Sequence, residues 1–293
     1  MKKRPLVFLV STGALLGGIA IPAQADETAS YAVETEVKLL SDQRTRGLSD
    51  SLNRPGAQLA VQFAHESGVI ALAQLSTISN KVYTGSDGYN VLLATGWRFG
   101  DPDGWHYGVG VASELFPGAK FDAPYGFDAS TGTPTDFRTT KYNSTYAVLE
   151  LGWGALDARI LTVLSKNYRG ASTSGVCGQM LALSADPTKA LDCYARGDHD
   201  SRGSWLADLD YKIPLDDKTT LKLHAGIQRI KNFKEANASD YSIGVLHKRW
   251  GFDWSAEYVM PKTRTRELFQ VVDGDKIRAV DGNRLVLAVS RKF

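Results

Sequence analysis

The fold turns on the last stretch of the chain, Asn283-Arg284-Leu285-Val286-Leu287-Ala288-Val289-Ser290-Arg291-Lys292-Phe293. Successive side chains of a strand point to opposite faces. Leu285, Leu287, Val289 and Phe293 therefore share one face, and only Arg291 interrupts the row. Arg284, Ser290 and Lys292 fall on the other face. A strand apolar on one side and charged on the other suits a sheet with one dry face and one wet face.

Working upstream, the same rhythm recurs. Residues 31–41 set Tyr31, Val33, Thr35, Val37 and Leu39 against Glu34, Glu36 and Lys38. Residues 105–115 set Trp105, Tyr107, Val109, Val111 and Leu115 against His106, Gly108, Gly110 and Glu114. Residues 204–213 set Trp205, Ala207, Leu209, Tyr211 and Ile213 against Asp208, Asp210 and Lys212. Further strands are expected at 56–66, 69–79, 89–99, 142–152, 156–165, 219–230, 240–250 and 252–260, about twelve in all.

The spacers run long, short, medium, short, long, short, long, short, medium, short, long. Ser67-Gly68, the turn Gly100-Asp101-Pro102-Asp103-Gly104 and Gly251 mark short ones. An even count with alternating loop lengths predicts an all-β fold, a transmembrane antiparallel up-and-down β-barrel. Both termini then lie on the short-turn side. A soluble β-sandwich or a lipocalin-like barrel shares the alternation but requires neither regularity. No second apolar run approaches the ~20 residues of a spanning helix. A membrane span in this chain has to be a closed barrel, where every backbone polar group is paired internally. The slightly negative mean hydropathy fits, since only alternate residues meet lipid.

The aromatics follow the short turns. Trp97, Phe99 and Trp105 flank one turn, Trp153 sits in another, and Trp250, Phe252 and Trp254 flank a third. Such rings favour a membrane–water boundary, apolar at one edge and wet at the other.

Residues 1–25 read as a cleaved signal peptide: Lys2, Lys3 and Arg4, an apolar stretch from Leu6 to Ile21, then Ala23-Gln24-Ala25. Residues 26–293 are then one barrel domain, exported and bound for the cell outer membrane. Removing those three cations takes the formal charge from +2 to −1 (2 − 3), which argues against a nucleic-acid partner. Cys177 and Cys193 lie in one long spacer with 15 residues between them (193 − 177 − 1) and are expected to form a loop-closing disulfide.

The most distinctive string is Ser41-Asp42-Gln43-Arg44-Thr45-Arg46-Gly47-Leu48-Ser49, followed by the strand pair of 57–79. It resembles the TorF-type porin family of proteobacteria, in which a first strand ends in Ser-Asp, aromatic, Arg, x, Arg-Gly, aliphatic, Ser. Gln43 stands where that pattern has an aromatic. The likeness covers roughly residues 30–80 and implies an outer-membrane barrel and a porin label without a substrate. A terminal strand closed by Phe293 also resembles the signal read by the barrel-assembly machinery. Asp42, Arg44, Arg46 and Gly47 sit at the outer end of strand one. The two guanidinium groups suit three roles: lining a pore mouth, contacting lipopolysaccharide phosphates, or pinning the loop through carboxylates such as Asp42 and Asp50.

The inward faces carry the candidate pore-lining residues Glu34, Glu36, Lys38, Arg98, Glu114, Arg159, Asp208, Asp210, Lys222, Lys248, Glu257 and Arg284. His106, Glu150, Asp157, Lys212, His224, Asp253 and Lys292 share those faces. Acids and bases nearly balance, which predicts weak ion selectivity. The same groups also suit a paired network filling a narrow interior, because bore grows with strand number and ~16 strands make an open aqueous channel.

Catalysis is not expected. His224, His247 and Ser242 lie on neighbouring strands without a phospholipase motif. Asp198-His199-Asp200 with Asp208 and Asp210 is only superficially like omptin-type proteases, because the last two fall mid-strand. Gly170, Gly175 and Gly178 precede no Gly-Lys-Ser or Gly-Lys-Thr, and no helix is expected there. No cofactor or metal is expected. The expected function is passive passage of small hydrophilic solutes. The alternatives are a plugged barrel acting through its outer loops and, third, a surface hydrolase.

Overall fold

A computed structural model describes residues 30–128, 130–184 and 186–293. The expected signal peptide, 1–25, lies outside the described residues. The strands are β1 (Tyr31–Leu40), β2 (Gly56–His65), β3 (Val69–Thr77), β4 (Tyr89–Gly100), β5 (Trp105–Leu115) and β6 (Ser144–Trp153). They continue as β7 (Leu156–Val163), β8 (Trp205–Pro214), β9 (Thr219–Arg229), β10 (Ala238–Arg249), β11 (Phe252–Thr263) and β12 (Arg284–Lys292). These twelve close into one antiparallel up-and-down barrel, each pairing with its neighbours in sequence. The seam joins β12 to β1, with Glu36 opposite Lys292 and Leu40 opposite Ala288. Closure leaves this twelve-stranded sheet with no unpaired edge strand. Phe293 itself locks into the ladder, its N–H donating to Thr35 O at 2.9 Å and its carbonyl accepting from Thr35 N at 3.2 Å.

The outward faces carry the apolar rows. Val37, Leu59, Leu93, Val109, Leu151, Ile160, Ile243 and Leu287 are all exposed, and so are Trp97, Trp105, Trp153, Trp250 and Trp254 near the short turns. The inward faces bury Glu34, Glu36, Lys38, Glu114, Glu150, Arg159, Asp208, Asp210 and Lys212. This inverts the usual arrangement of a water-soluble domain, in which charged residues are almost never fully buried.

The long loops carry structure of their own. Lys120–Asp128 pairs with Thr133–Lys141, and Gln270–Asp273 with Lys276–Ala279. Contrary to expectation, two helices form in the spacer after β7: α1 (Thr173–Leu183) and α2 (Thr188–Ala195). Gly175 and Gly178 weaken local helix propensity by about 1 kcal/mol each, which disguises the segment. Tertiary context supplies the rest. Ser172 caps α1 by accepting from Gly175 N at 3.2 Å. Cys177 and Cys193 form the expected disulfide, with their Cα atoms 5.5 Å apart.

Candidate functional site: a loop across the lumen

The first long loop does not stay outside. Arg44–Thr45 pairs with Leu48–Ser49, joined by Arg46-Gly47. Both linking residues have positive φ, 52° and 73°, the type I′ pattern that favours Gly at the second position. This short hairpin folds down into the barrel. A Cβ on Gly47 would lie 2.8 Å from Asp240 Cβ and 3.0 Å from Pro261 Cβ, so the turn tip presses against β10 and β11.

From this tip Arg46 reaches across the bore. Its Nη2 donates to Asp208 Oδ2 on β8 at 2.7 Å, and both side chains are buried. Going round the barrel, β8 lies six strands from β2, which follows the loop, so the pair joins opposite walls. Arg44 holds the base of the hairpin, donating to Asp42 Oδ2 at 2.6 Å, Gly47 O at 2.6 Å and Asn53 Oδ1 at 2.9 Å. Asp42 is fully buried and also accepts from Ser49 Oγ at 2.6 Å and Ser51 Oγ at 3.0 Å. Gln43 Oε1 accepts from Gln58 Nε2 at 2.9 Å.

A second arginine closes the other side. Arg169 stands at the start of the long spacer after β7, with φ of 43°. Its Nε donates to Glu114 Oε2 at 2.9 Å, and its Nη1 to Tyr83 Oη at 3.0 Å and Asp50 Oδ1 at 3.3 Å. Its Nη2 also donates to Glu114, and Tyr83 donates to Asp50. Burial pushes the Tyr83 hydroxyl well above its usual range, reinforced by Asp50 and Glu114 and opposed by Arg169. Burial works against the Arg169 charge, yet Glu114, Tyr83 and Asp50 together raise it well above the usual value. Arg169 therefore stays a cation.

The loop divides the interior. Below it lies a cavity of ≈ 200 Å³ lined by Thr45, Arg46 and Gly47 from the loop and by charged residues of the wall. Above it lies a vestibule of ≈ 820 Å³ whose floor is Leu48, Ser49, Asp50, Tyr83 and Arg169.

Eight of the twelve expected pore-lining residues line the lower cavity: Glu36, Lys38, Glu114, Arg159, Asp208, Asp210, Lys222 and Glu257. Glu34 lies nearer the short turns, accepting from Lys292 Nζ at 2.8 Å, and so does Arg98, paired with Glu150 at 2.7 Å. Lys248 and Arg284 share the inward register, opposite Asp253 and Val259, but stand exposed near opposite ends of their strands. The acids are closely partnered. Asp210 accepts from Arg159 Nη2 at 2.8 Å and meets His224 Nδ1 at 2.8 Å, while His224 Nε2 meets Asp240 at 3.0 Å.

Tyr83, Arg169 and Asp240 join this site without having been singled out by sequence. Two-residue periodicity marks only strand faces, and Tyr83 and Arg169 sit in loops. Asp198 pairs instead with Arg138 at 2.8 Å on the outer loops. Among the described residues, no group of three or more His, Cys, Asp or Glu is arranged to hold a metal ion.

No curated protein matches the sequence significantly. Among solved structures, the KdgM porin is similar with a TM-score of 0.44 at 7% identity, over 89% of this chain and 99% of that one. The NanC porin is similar with a TM-score of 0.45 at 11% identity, over 88% of this chain and 98% of that one. The COG4313 outer membrane channel from Pseudomonas putida F1 is similar with a TM-score of 0.40 at 10% identity, over 94% of this chain and 100% of that one. The family model for bacterial proteins of unknown function designated Gcw_chp matches residues 24–293, and the chain belongs to that family.

Proposed function

We propose that this chain is a porin-like channel of the outer membrane, of the TorF type, passing small hydrophilic solutes down their gradient through a narrow charged bore. In this reading residues 1–25 are removed on export, Phe293 helps present the chain to the barrel-assembly machinery, and the aromatic belt meets lipid. The long loops then face outward beside lipopolysaccharide. One observation carries the reading. Two cavities stand in series, the lower within the barrel and the upper walled largely by the long loops, and what separates them is a loop rather than a strand of the wall. A loop can move without breaking the ladder.

A second reading has its own support. The Arg46–Asp208 pair spans the bore, as a permanent plug would require, and the barrel would then act through its outer loops. Planar-bilayer recording of the refolded protein separates the two. Stable open steps, with liposome swelling by small sugars or amino acids, support the channel. Silence in both assays, for the wild type and for a variant with the bridge removed, overturns it in favour of the plug.

A further inference from the structure

The wall of the lower cavity has two chemistries. On one side β2, β3 and β4 face it with Gln58, Gln62, Gln74, Ser76 and Asn90. Among the described residues, none that these three strands contribute to the lining is charged. Ser76 stands directly opposite Gln58 on one neighbouring strand and Asn90 on the other, so the uncharged polar groups form one patch. Across the bore, β7 to β11 supply charged groups such as Arg159, Asp208, Asp210 and Asp240.

The charged side offers little to a charged guest. Every carboxylate that lines the cavity already has a cation, as Glu36 has Lys38, Asp208 has Arg46 and Glu257 has Lys222. His224 meets Asp210 through Nδ1 and Asp240 through Nε2. Ionised carboxylates only accept hydrogen bonds, so this imidazole donates from both nitrogens and is a cation. Seven acids then face seven bases in the lining. An ionic solute has to leave water and split a buried pair to find a counter-charge.

The uncharged side is open in a specific way. Gln62 and Asn90 are each 7% exposed, and among the described residues Gln62 Oε1 and Asn90 Oδ1 are buried without a hydrogen-bond partner. Their neighbours are engaged. Gln58 Nε2 donates to Gln43 Oε1 at 2.9 Å, and Gln74 Nε2 to Ser76 Oγ at 3.0 Å. Asn90 Nδ2 reaches Glu114 Oε1 at 3.4 Å, which fixes its carbonyl on the side away from that carboxylate. A buried acceptor without a donor is costly, and both carbonyls want an O–H or N–H. A hydroxyl supplies one without a charge and can accept in return from an amide. The cavity, at ≈ 200 Å³, is several times the ~30 Å³ share of one water in the liquid, which is room for one small sugar.

We infer that the lower cavity binds small uncharged polyhydroxyl solutes, single sugars among them, with the Gln62 and Asn90 carbonyls as acceptors, and that it disfavours sugars carrying a charge. The inference deepens the channel reading by naming the solute class, and it rests on that reading for the claim that the bound solute passes through.

The test uses the full chain refolded into lipid nanodiscs, with D-glucose, D-glucuronate and D-glucosamine as probes of one ring skeleton. Binding is followed by saturation-transfer NMR at mildly acidic pH, where the acid and the amine are both charged. The wild type is expected to bind glucose saturably and each charged sugar at least about fivefold more weakly. Gln62→Met and Asn90→Leu keep the side-chain shape and remove the acceptor. Each is expected to weaken glucose about fivefold while leaving the unfolding midpoint unchanged or raised, because a buried unpaired group is gone. Gln62→Glu sets a new carboxylate on the uncharged wall and is expected to bind glucosamine more tightly than glucose. Equal binding of the three sugars by the wild type overturns the solute class. Unchanged glucose binding in both Gln62→Met and Asn90→Leu, or no saturable glucose binding by the wild type, overturns the site and leaves the two carbonyls to water. Saturable glucose binding with a silent bilayer would sink the channel and leave this site standing.

Discussion

Arg46 and Asp208 form a buried ion pair of 2.7 Å that crosses the lumen from the first loop to the opposite wall. The Arg46 turn has left-handed backbone at both central residues, which aims the side chain away from its own strands. The pair holds the loop in the bore, and breaking it should free the loop.

Arg46→Ala is therefore expected to raise single-channel conductance and speed liposome swelling. Truncating Arg46 leaves Asp208 buried without this partner, and breaking a buried pair costs about 3–5 kcal/mol. Asp208→Ala alone should also open the bore. The double variant should be more stable than the sum of the two single losses implies, because the remaining charge is gone. Denaturant unfolding of the four proteins gives the cycle. Unchanged conductance in all three variants would show that the loop is held by its other contacts.

Gly47 tests the same loop from its other side. Its φ of 73° and its approach to Asp240 and Pro261 leave no room for a side chain. Left-handed backbone costs a residue with Cβ about 1–2 kcal/mol, and the contact with the wall adds to this. Gly47→Ala should lower stability by at least that amount and lift the tip from β10 and β11, so conductance should rise here too. Gly251, whose added Cβ would meet nothing within 4 Å, is the control. Gly251→Ala should pay the backbone cost and leave conductance unchanged.

The barrel could be read from the chain because its physics is local. Alternation, turn residues and spacer lengths each report on a few neighbours, and they placed the strands to within a few residues. Lys38, Asp210 and Glu257 were assigned inward by parity alone and line the lower cavity. The loop site was legible only in part. The Arg-Thr-Arg-Gly string stood out, and pinning through Asp42 was one of three roles open to Arg44, which it does in fact contact. That Arg46 ignores Asp50 and reaches Asp208 depends on which wall lies opposite, a property of closure. The helices after β7 were hidden for a related reason. Their support comes from a disulfide and from packing against distant loops, none of which leaves a periodic trace.

That disulfide fastens α1 to α2 within the long spacer after β7. Closing a loop of this length stabilises by roughly 3 kcal/mol in the chain-entropy model. Replacing both Cys177 and Cys193 with Ser should leave the heat-modifiable gel shift of the barrel intact. Limited proteolysis within 166–203 should become markedly faster. Loss of the gel shift would mean that the outer loops carry the barrel's stability.

Asp50 gives a pH dependence with a defined sign. Burial pushes its carboxyl above the usual 3.8, opposed by Arg169 and by hydrogen bonds from Thr45 and Tyr83. The folded state then holds the proton more tightly than the unfolded state does. The stability this group contributes is complete below 3.8 and falls as pH rises through its raised folded value. Asp50→Asn cannot titrate. The stability of the wild type relative to Asp50→Asn should therefore decline from acid towards neutral pH and then stay level. Unfolding in urea across that range measures the difference, and a difference that grows with pH would mean that Arg169 outweighs burial.

The membrane placement makes the last prediction. Trp97, Trp105, Trp153 and Trp254 are between 45% and 64% exposed and all lie near the short turns. An indole prefers the interface to either bulk water or acyl chains. Tryptophan fluorescence of the protein in vesicles should be quenched most by lipids brominated near the headgroup and less by those brominated towards the chain ends. Trp205 begins β8 at the opposite end of the barrel, beneath the long loops, so one belt residue should remain near the other interface. With the four short-turn tryptophans changed to Phe and Trp250 removed likewise, quenchers confined to the leaflet beside the long loops should still reach the remaining signal. Quenching by aqueous iodide that matches free tryptophan in every variant would place these rings in water and remove the lipid-embedded barrel altogether.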